Sequence, residues 1–182
     1  EVEPINSGSL DALLDDFAAC LPISDYTVGW VDALATGRSL GRGVIHRANY
    51  VPASAVPDAA ASFAVDRQEL PSRLAGLPKA QLWRLMRPFM FDGGVRAINA
   101  AKFHAGRLHD REPYRQSHVA FAFLLDYVPD WRLAYGAAGF IQYQVFVPHG
   151  TARELFRDLL ARCHSARRPP YLAVLKRHRP DD

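Results

Sequence analysis

The chain has 182 residues, of which 49% are hydrophobic and 23% are charged, and its formal net charge is +3. This composition is that of a globular protein large enough to bury a core, and it excludes a disordered or collagen-like chain. No apolar run is long enough to span a bilayer, and no signal peptide opens the chain, which predicts a cytoplasmic location with at most peripheral membrane contact. The basic residues are not interleaved with aromatic ones, so no nucleic-acid partner is predicted.

The first 50 residues predict a helix followed by a β-hairpin. Ser9 is a good N-cap for a helix with one apolar stripe, and Pro22 ends that helix. Side chains alternate in character over residues 25–34, and residues 40–50 form a second predicted strand after a turn.

Residues 51–116 predict an irregular, partly helical insert. Prolines are frequent over residues 51–78, which indicates a long surface excursion. Helical spacing of apolar residues appears at 79–91 and again at 95–105. We therefore predict one domain over residues 1–182 that contains this insert.

Two further strands separated by a loop are predicted after the insert. The apolar run at 118–125 indicates the first strand, residues 126–138 have the composition of a loop, and residues 140–147 alternate as a second strand. On that second strand Gln142 and Gln144 share a face. Because unpartnered buried amides are costly, this face is either exposed to water or lines a polar cavity.

A helix and a strand complete the chain. Thr151 and Glu154 have the spacing of a capping box, and residues 171–176 form the last predicted strand. The predicted buried stripe of the helix consists of Leu155, Leu159 and Cys163, with Phe156 and Leu160 beside it. This order of elements predicts an α+β fold, with an antiparallel or mixed sheet and helices packed on one of its faces.

The residues by themselves provide no catalytic constellation. The seven histidines lack the spacings of metal-binding motifs, so no metal site is predicted. No G-x-S-x-G motif is present, and Gly41-Arg42-Gly43 lies in a predicted strand and not before a helix.

Residues 130–148 resemble a known family. Their sequence is D-W-R-L-A-Y-G-A-A-G-F-I-Q-Y-Q-V-F-V-P, and it is similar to the W-x-x-A-Y-G-x-x-G-F-x-Q-Y-Q-x-x-x-P signature of FAD-linked oxidases of the vanillyl-alcohol-oxidase type, in particular the decaprenylphosphoryl-ribose oxidases. A second similarity covers Tyr26, Trp30, Asp32 and the L-G-R-G run at residues 40–43. The chain thus resembles the substrate-binding cap domain of these enzymes.

The resemblance implies that the chain is a fragment of a larger FAD-dependent oxidoreductase. The partner of the cap would be the FAD-binding domain of the same polypeptide, which would hold the cofactor, so neither FAD binding nor catalysis is expected of these residues alone. The intact enzyme is expected to oxidise a secondary alcohol of a sugar, either a small molecule or lipid-linked, by hydride transfer to the flavin.

The resemblance also implies roles for individual residues. Lys176 and Gln144 would be catalytic and would face both the flavin and the substrate, with Lys176 stabilising negative charge. The residues expected to contact substrate are Trp30, Gln142, Leu172 and His178. Ala122 stands where the family pattern has a pocket tyrosine, and His178 stands where it has an aromatic residue two positions after the lysine, so the shape of the pocket is expected to differ.

Two other functions are compatible with the sequence. The chain could be a stand-alone binding module for a phosphorylated or lipid-linked sugar, or an α+β domain with only a structural role. A polar cleft joining Trp30, Gln144 and Lys176 would favour the cap domain, whereas side chains on separate faces would favour the structural role.

Overall fold

The computed structural model describes residues 1–58, 64, 72–74, 76–123 and 128–177, and the structural statements below concern this part of the chain. The strands are β1 (Val2–Ser7), β2 (Tyr26–Val31), β3 (Gly43–Ala48), β4 (Arg73–Leu74), β5 (Leu77–Pro78) and β6 (Ala173–Lys176). The helices are α1 (Leu10–Cys20), α2 (Leu82–Met86), α3 (Asp92–Gly106), α4 (His118–Ala122) and α5 (Ala152–Ser165). The predicted α+β class is confirmed.

The chain divides into two compact units. The first consists of Glu1–Asn49, Asp92–Tyr114 and Gln144–Asp182, and the second of Tyr50–Phe91 and Arg115–Tyr143. The organisation of residues 1–182 as one domain with an insert at 51–116 stays a prediction.

A four-stranded antiparallel sheet with the order β1-β3-β2-β6 forms the centre of the first unit. The predicted hairpin of β2 and β3 and the predicted last strand are confirmed. Strand β1 was not predicted, because it is short and lacks a regular alternation of apolar and polar residues. It carries Pro4, which an edge strand tolerates because a missing N–H there need not break a ladder hydrogen bond.

Helix α1 covers one face of this sheet, which we name the closed face after its buried residues Ile5, Val31 and Ile45. The N-cap prediction is confirmed, since Ser9 Oγ accepts a hydrogen bond from the Ala12 N–H. The apolar core between the helix and the sheet contains Ile5, Leu13, Phe17, Cys20, Val31 and Ile45.

Helix α5 extends the cover on the closed face, but with a different stripe from the one predicted. Leu160 is buried against Leu10 of α1, whereas Leu155 is 42% exposed. The predicted capping box is wrong, because Thr151 has helical backbone angles and its hydroxyl donates to the Pro148 carbonyl.

Helix α3 lies on the opposite face of the sheet, so the expectation that helices cover only one face was wrong. Its Phe103 packs against Trp30 and Val44, which pair directly across β2 and β3. Side chains alternate along a strand, and Val44 therefore points away from the face of its neighbour Ile45. Trp30 and Val44 form a bulky pair on one face, and Ile5 and Ile45 form one on the other, so each face needs a helix to cover it.

The second unit contains short elements. Strands β4 and β5 pair with each other, and α2 is shorter than the predicted helix at 79–91, with Pro88 lying in a 3₁₀ turn after it. The strand predicted at 118–125 was wrong over its described residues, which form α4. Ser117 begins this helix by accepting a hydrogen bond from the Ala120 N–H.

The strand predicted at 140–147 was also wrong. These residues have no regular secondary structure, and the Ile141 side chain is 98% exposed. The loop predicted before them contains a 3₁₀ helix, Trp131–Ala138, that kinks at Gly136. Alternation of side chains predicts a strand only where a neighbouring strand satisfies the backbone N–H and C=O groups, and no ladder includes residues 140–147 within the described chain.

Candidate functional site

The face of the sheet opposite α1 is partly open, and we name it the open face. Val28 pairs with His46 on one side and with Lys176 on the other, and Trp30 pairs with Val174. Directly opposed residues of antiparallel strands share a face, so these five side chains lie on the same side of the sheet. Val174 is 50% exposed and Lys176 is exposed, so the β6 side of this face is accessible to a ligand.

Trp30 forms the floor of the open face. It is only 8% exposed, and its ring lies under the ammonium of Lys102, with Nζ 4.2 Å from the ring centroid. This is a cation–π contact, which holds the cation by the ring's electrostatic field. Lys102 is an exposed residue of α3, but its ammonium lies at the ring, and burial there lowers the pKa of Lys102.

His46 and Tyr114 lie beside this pair. Burial, reinforced by the charge of Lys102, lowers the pKa of His46 from 6.5 to about 4, so the imidazole is neutral at pH 7. The Tyr114 hydroxyl is 3.5 Å from His46 Nδ1, and burial raises the pKa of Tyr114. Two backbone hydrogen bonds to Val2 hold Tyr114 at the edge of the sheet. The open face thus offers neutral hydrogen-bonding groups next to a cation.

A buried carboxylate anchors α3 and therefore Lys102. Asp32 is 1% exposed, and it accepts hydrogen bonds from Arg42 Nε at 3.0 Å and from Asn99 Nδ2 at 3.0 Å. It also accepts one from the backbone N–H of Leu34. Because Asn99 belongs to α3 and Arg42 precedes β3, this network fixes the helix to the end of the sheet. The position of Lys102 follows from it.

The structure brings only some of the site residues predicted from the sequence to the open face. Trp30 and Lys176 are on the open face, and Leu172 precedes β6 with a 41% exposed side chain. His178 lies outside the described residues. The roles assigned to these residues stay predictions.

Gln142 and Gln144 are exposed, and within the described chain neither amide makes a side-chain hydrogen bond. The strand predicted at 140–147, which would place both amides on one face, does not form. Their predicted roles in substrate and flavin contact therefore rest on the resemblance alone.

Three aromatic residues of the segment that carries the resemblance form a cluster in the second unit. The ring of Phe140 lies 5.2 Å from that of Trp131 and 5.1 Å from that of Tyr135. Ala134 is buried beside them, and Gly136 adopts a φ of 68°, which glycine reaches without strain. These contacts give residues 131–140 a packing role, whereas Ile141 and Tyr143 are exposed.

Sequence reasoning missed Lys102, His46 and Tyr114. A signal existed for two of them, because the alternation of β3 places His46 on the face of Val44 and the helical spacing at 95–105 includes Lys102. Neither signal indicates which helix covers which face, and Tyr114 reaches the site only through its long-range pairing with β1.

A separate cavity of about 140 Å³ lies on the closed face and is lined partly by Glu3, Cys20 and Arg47. Its charges already pair, since Arg47 Nη2 is 2.6 Å from a Glu3 carboxylate oxygen. Among residues 1–58, 64, 72–74, 76–123 and 128–177, no group of three or more histidine, cysteine or acidic side chains could hold a metal ion, and none of the helices has the length and hydropathy that a membrane span requires.

Comparison with known proteins found one relevant relative. The chain is 30% identical over 160 residues to the decaprenylphosphoryl-beta-D-ribose oxidase of Mycolicibacterium smegmatis. The alignment covers 83% of this chain but 31% of the relative, so the chain spans less than a third of that protein's length. No family model and no solved structure matches the chain. The chain is therefore similar to one part of an oxidase.

Proposed function

We propose that the chain is the substrate-binding domain of an FAD-dependent oxidoreductase that oxidises a secondary alcohol of a sugar by hydride transfer to the flavin. The observation that supports this most is the strand register, in which Trp30 and Lys176 share one accessible face. The similarity to part of an oxidase named for a decaprenylphosphoryl ribose favours a phosphorylated or lipid-linked sugar as the substrate. The FAD-binding domain of the same polypeptide would be the partner.

The open face is suited to one side of a flavin ring and not to a whole dinucleotide. Leu172 and Val174 are 41% and 50% exposed near Lys176, which provides an apolar surface with one cation for a planar ring. The described residues contain no glycine-rich loop before a helix of the kind that binds pyrophosphate. We therefore expect the partner domain to hold the nucleotide part of FAD.

The chemistry of this chain's own residues would be positioning and charge stabilisation. When bound, a flavin supplies the hydride acceptor. An ammonium in a covered, apolar site attracts negative charge more strongly than it does in water, and this is the role we assign to Lys176. Neutral His46, whose pKa is lowered to about 4, can accept a hydrogen bond from a sugar hydroxyl at pH 7.

The first test is spectroscopic. The full-length polypeptide, purified, should show a flavin absorbance band that this 182-residue chain alone lacks. Absence of flavin from the full-length polypeptide, even after FAD is added, would contradict the proposal.

The second test concerns Lys176. In the full-length polypeptide, Lys176→Met should slow anaerobic flavin reduction by a panel of sugars by about 100-fold, because a preorganised charge at the reacting centre is lost. Arg177→Met is the matched control, since it removes a positive charge from the next residue. Equal reduction rates in the wild-type and Lys176→Met proteins would show that Lys176 has no catalytic part.

A stand-alone sugar-binding module is the second candidate. Lys102 favours it, because no ion pair engages its ammonium within the described residues, and binding a phosphorylated sugar requires no flavin. A full-length polypeptide that binds a sugar phosphate but no FAD would support this candidate over the oxidoreductase.

A further inference from the structure

Lys102 occupies an unusual position for a surface lysine. A lysine on an exposed helix ordinarily extends into water, whereas the ammonium of Lys102 rests 4.2 Å from the centroid of the Trp30 ring. The contact orients the cation without neutralising it, because a tryptophan ring carries no net charge. No carboxylate forms an ion pair with Lys102 in the part of the chain that the structure describes.

The platform under this ammonium is rigid. Trp30 is nearly buried, and Val44 and Phe103 pack around it. The Arg42 guanidinium lies over the ring of Phe103, 4.6 Å from the ring centroid, and it donates a hydrogen bond to Asp32. Helix α3 is thus fixed on both sides of Lys102, and the cation loses little further freedom when it binds a ligand.

The neighbours of Lys102 suit an anion with a polar attachment. His46 is neutral at pH 7 and therefore does not repel a cation, and the Tyr114 hydroxyl lies next to it. Of the three lysines in the chain, Lys102 and Lys176 both lie on the open face. A compact ammonium on this face is a point charge that binds phosphate oxygens well.

We propose that Lys102, held over the Trp30 ring, binds the phosphate group of the sugar substrate on the open face, and that Trp30 is the support for this cation and not itself the main substrate contact. This inference rests on the proposed function, and it divides the face into an anion-binding end at Lys102 and a reacting end at Lys176. The chemistry recognised is a phosphate anion attached to a sugar.

The test uses the full-length polypeptide labelled with 5-fluorotryptophan, and the ¹⁹F signal of Trp30 reports binding. The signal of Trp30 is assigned as the one that a Trp30→Phe variant lacks. Ribose 5-phosphate, ribose and inorganic phosphate are titrated separately. We expect ribose 5-phosphate to bind more tightly than ribose, and inorganic phosphate to shift the Trp30 signal by itself.

The variants then test Lys102 directly. Lys102→Met should weaken binding of ribose 5-phosphate by about tenfold or more, as expected for loss of a charge-assisted hydrogen bond, and should leave ribose binding unchanged. Lys102→Arg should retain most of the preference for the phosphate. Arg107→Met is the matched control, because Arg107 is an exposed cation just after α3 and makes no contact with the Trp30 ring.

The outcomes separate the two proposals. If ribose binds but ribose 5-phosphate binds no more tightly, or if Lys102→Met leaves the phosphate preference intact, the role of Lys102 is wrong while the sugar-binding face stands. If neither ribose nor ribose 5-phosphate binds to a folded wild-type protein, both proposals are wrong.

Discussion

The two faces of the sheet differ in how they are covered and in what they carry. The closed face meets α1 and α5 through apolar side chains such as Leu13 and Ile45, both of which are fully buried. The open face meets α3 through Trp30 and Phe103, and beyond them it carries two lysines and a neutral histidine. The apolar core is therefore concentrated on the closed face, whereas the groups able to recognise a ligand are concentrated on the open face.

This difference between the faces is reflected in the contacts that hold α1 and α3 to the sheet. Ion pairs at α1, such as that between Asp15 and Arg153, are exposed, whereas α3 is fixed by the buried Asp32 network. A buried carboxylate with several donors gives a defined helix position at the cost of desolvation.

The largest expected effect is at the anchor of α3. Asp32→Ala should lower the free energy of unfolding by about 3–5 kcal/mol, because it leaves the mostly buried Arg42 without its carboxylate. Urea denaturation measures the loss. Asp15→Ala, which removes an exposed partner of Arg153, is the control and should change stability little. Similar losses for both variants would show that the Asp32 network does not anchor the helix.

The next effect contrasts the two faces directly. Leu13→Ala should cost about 2–5 kcal/mol of unfolding free energy, since it leaves a cavity in the core of the closed face. Val174→Ala on the open face should cost less than about 1 kcal/mol, because that side chain is already half exposed. Equal losses in thermal or chemical denaturation would mean that the open face is covered as completely as the closed one.

Gly29 tests the tightness of the closed face. A Cβ added there would stand 2.5 Å from Cε2 of Phe17, so Gly29→Ala should destabilise the protein by about 1–3 kcal/mol. Gly8→Ala is the control, because nothing lies within 4 Å of its added Cβ. In the Gly29→Ala background, Phe17→Leu should lower the free energy of unfolding by less than it does in the wild-type protein. A double-mutant cycle measures this difference. Strict additivity would contradict the clash.

The smallest expected effect is the pH dependence due to His46. Its pKa is about 4 in the folded protein and 6.5 ordinarily, so the unfolded state takes up the proton first as the pH falls. The contribution of His46 to stability is therefore present at pH 7 and is lost between about 6.5 and about 4. We expect a loss on the order of 1 kcal/mol between pH 7 and pH 5.

His46→Gln should flatten that part of the stability profile measured by denaturation at several pH values. His104→Gln, at an exposed position of α3, is the control and should leave the profile as in the wild type. An unchanged profile in His46→Gln would show that His46 is not buried on the open face.

Local signals predicted the elements of the closed face. The Ser9 cap and the alternation of β2 are each contained within a short stretch of sequence, as is the apolar spacing that predicted α5, although the buried side of α5 differs from the predicted one. They did not reveal β1, which depends on pairing with a strand some forty residues away, as Ile5 does with Ile45. Alternation at 140–147 predicted a strand wrongly, because a strand also requires a neighbour.

The site was predictable only in part. The resemblance singled out Trp30 and Lys176, which the register brings to one face. It did not single out Lys102, because the contact between Lys102 and Trp30 depends on which face α3 covers, and that is decided by bulky residues on β2 and β3 together with Asn99. Long-range packing, which no local pattern contains, completes the site.

The central claim is that the open face binds the sugar. We would test it by titrating ribose into the full-length polypeptide with labelled valine, leucine and isoleucine methyl groups and following their NMR signals. The account predicts shifts at Val28 and Val174, with Leu13 and Ile45 unchanged. Shifts confined to the closed face, or no shift at Val28 and Val174 at saturating ribose, would contradict it.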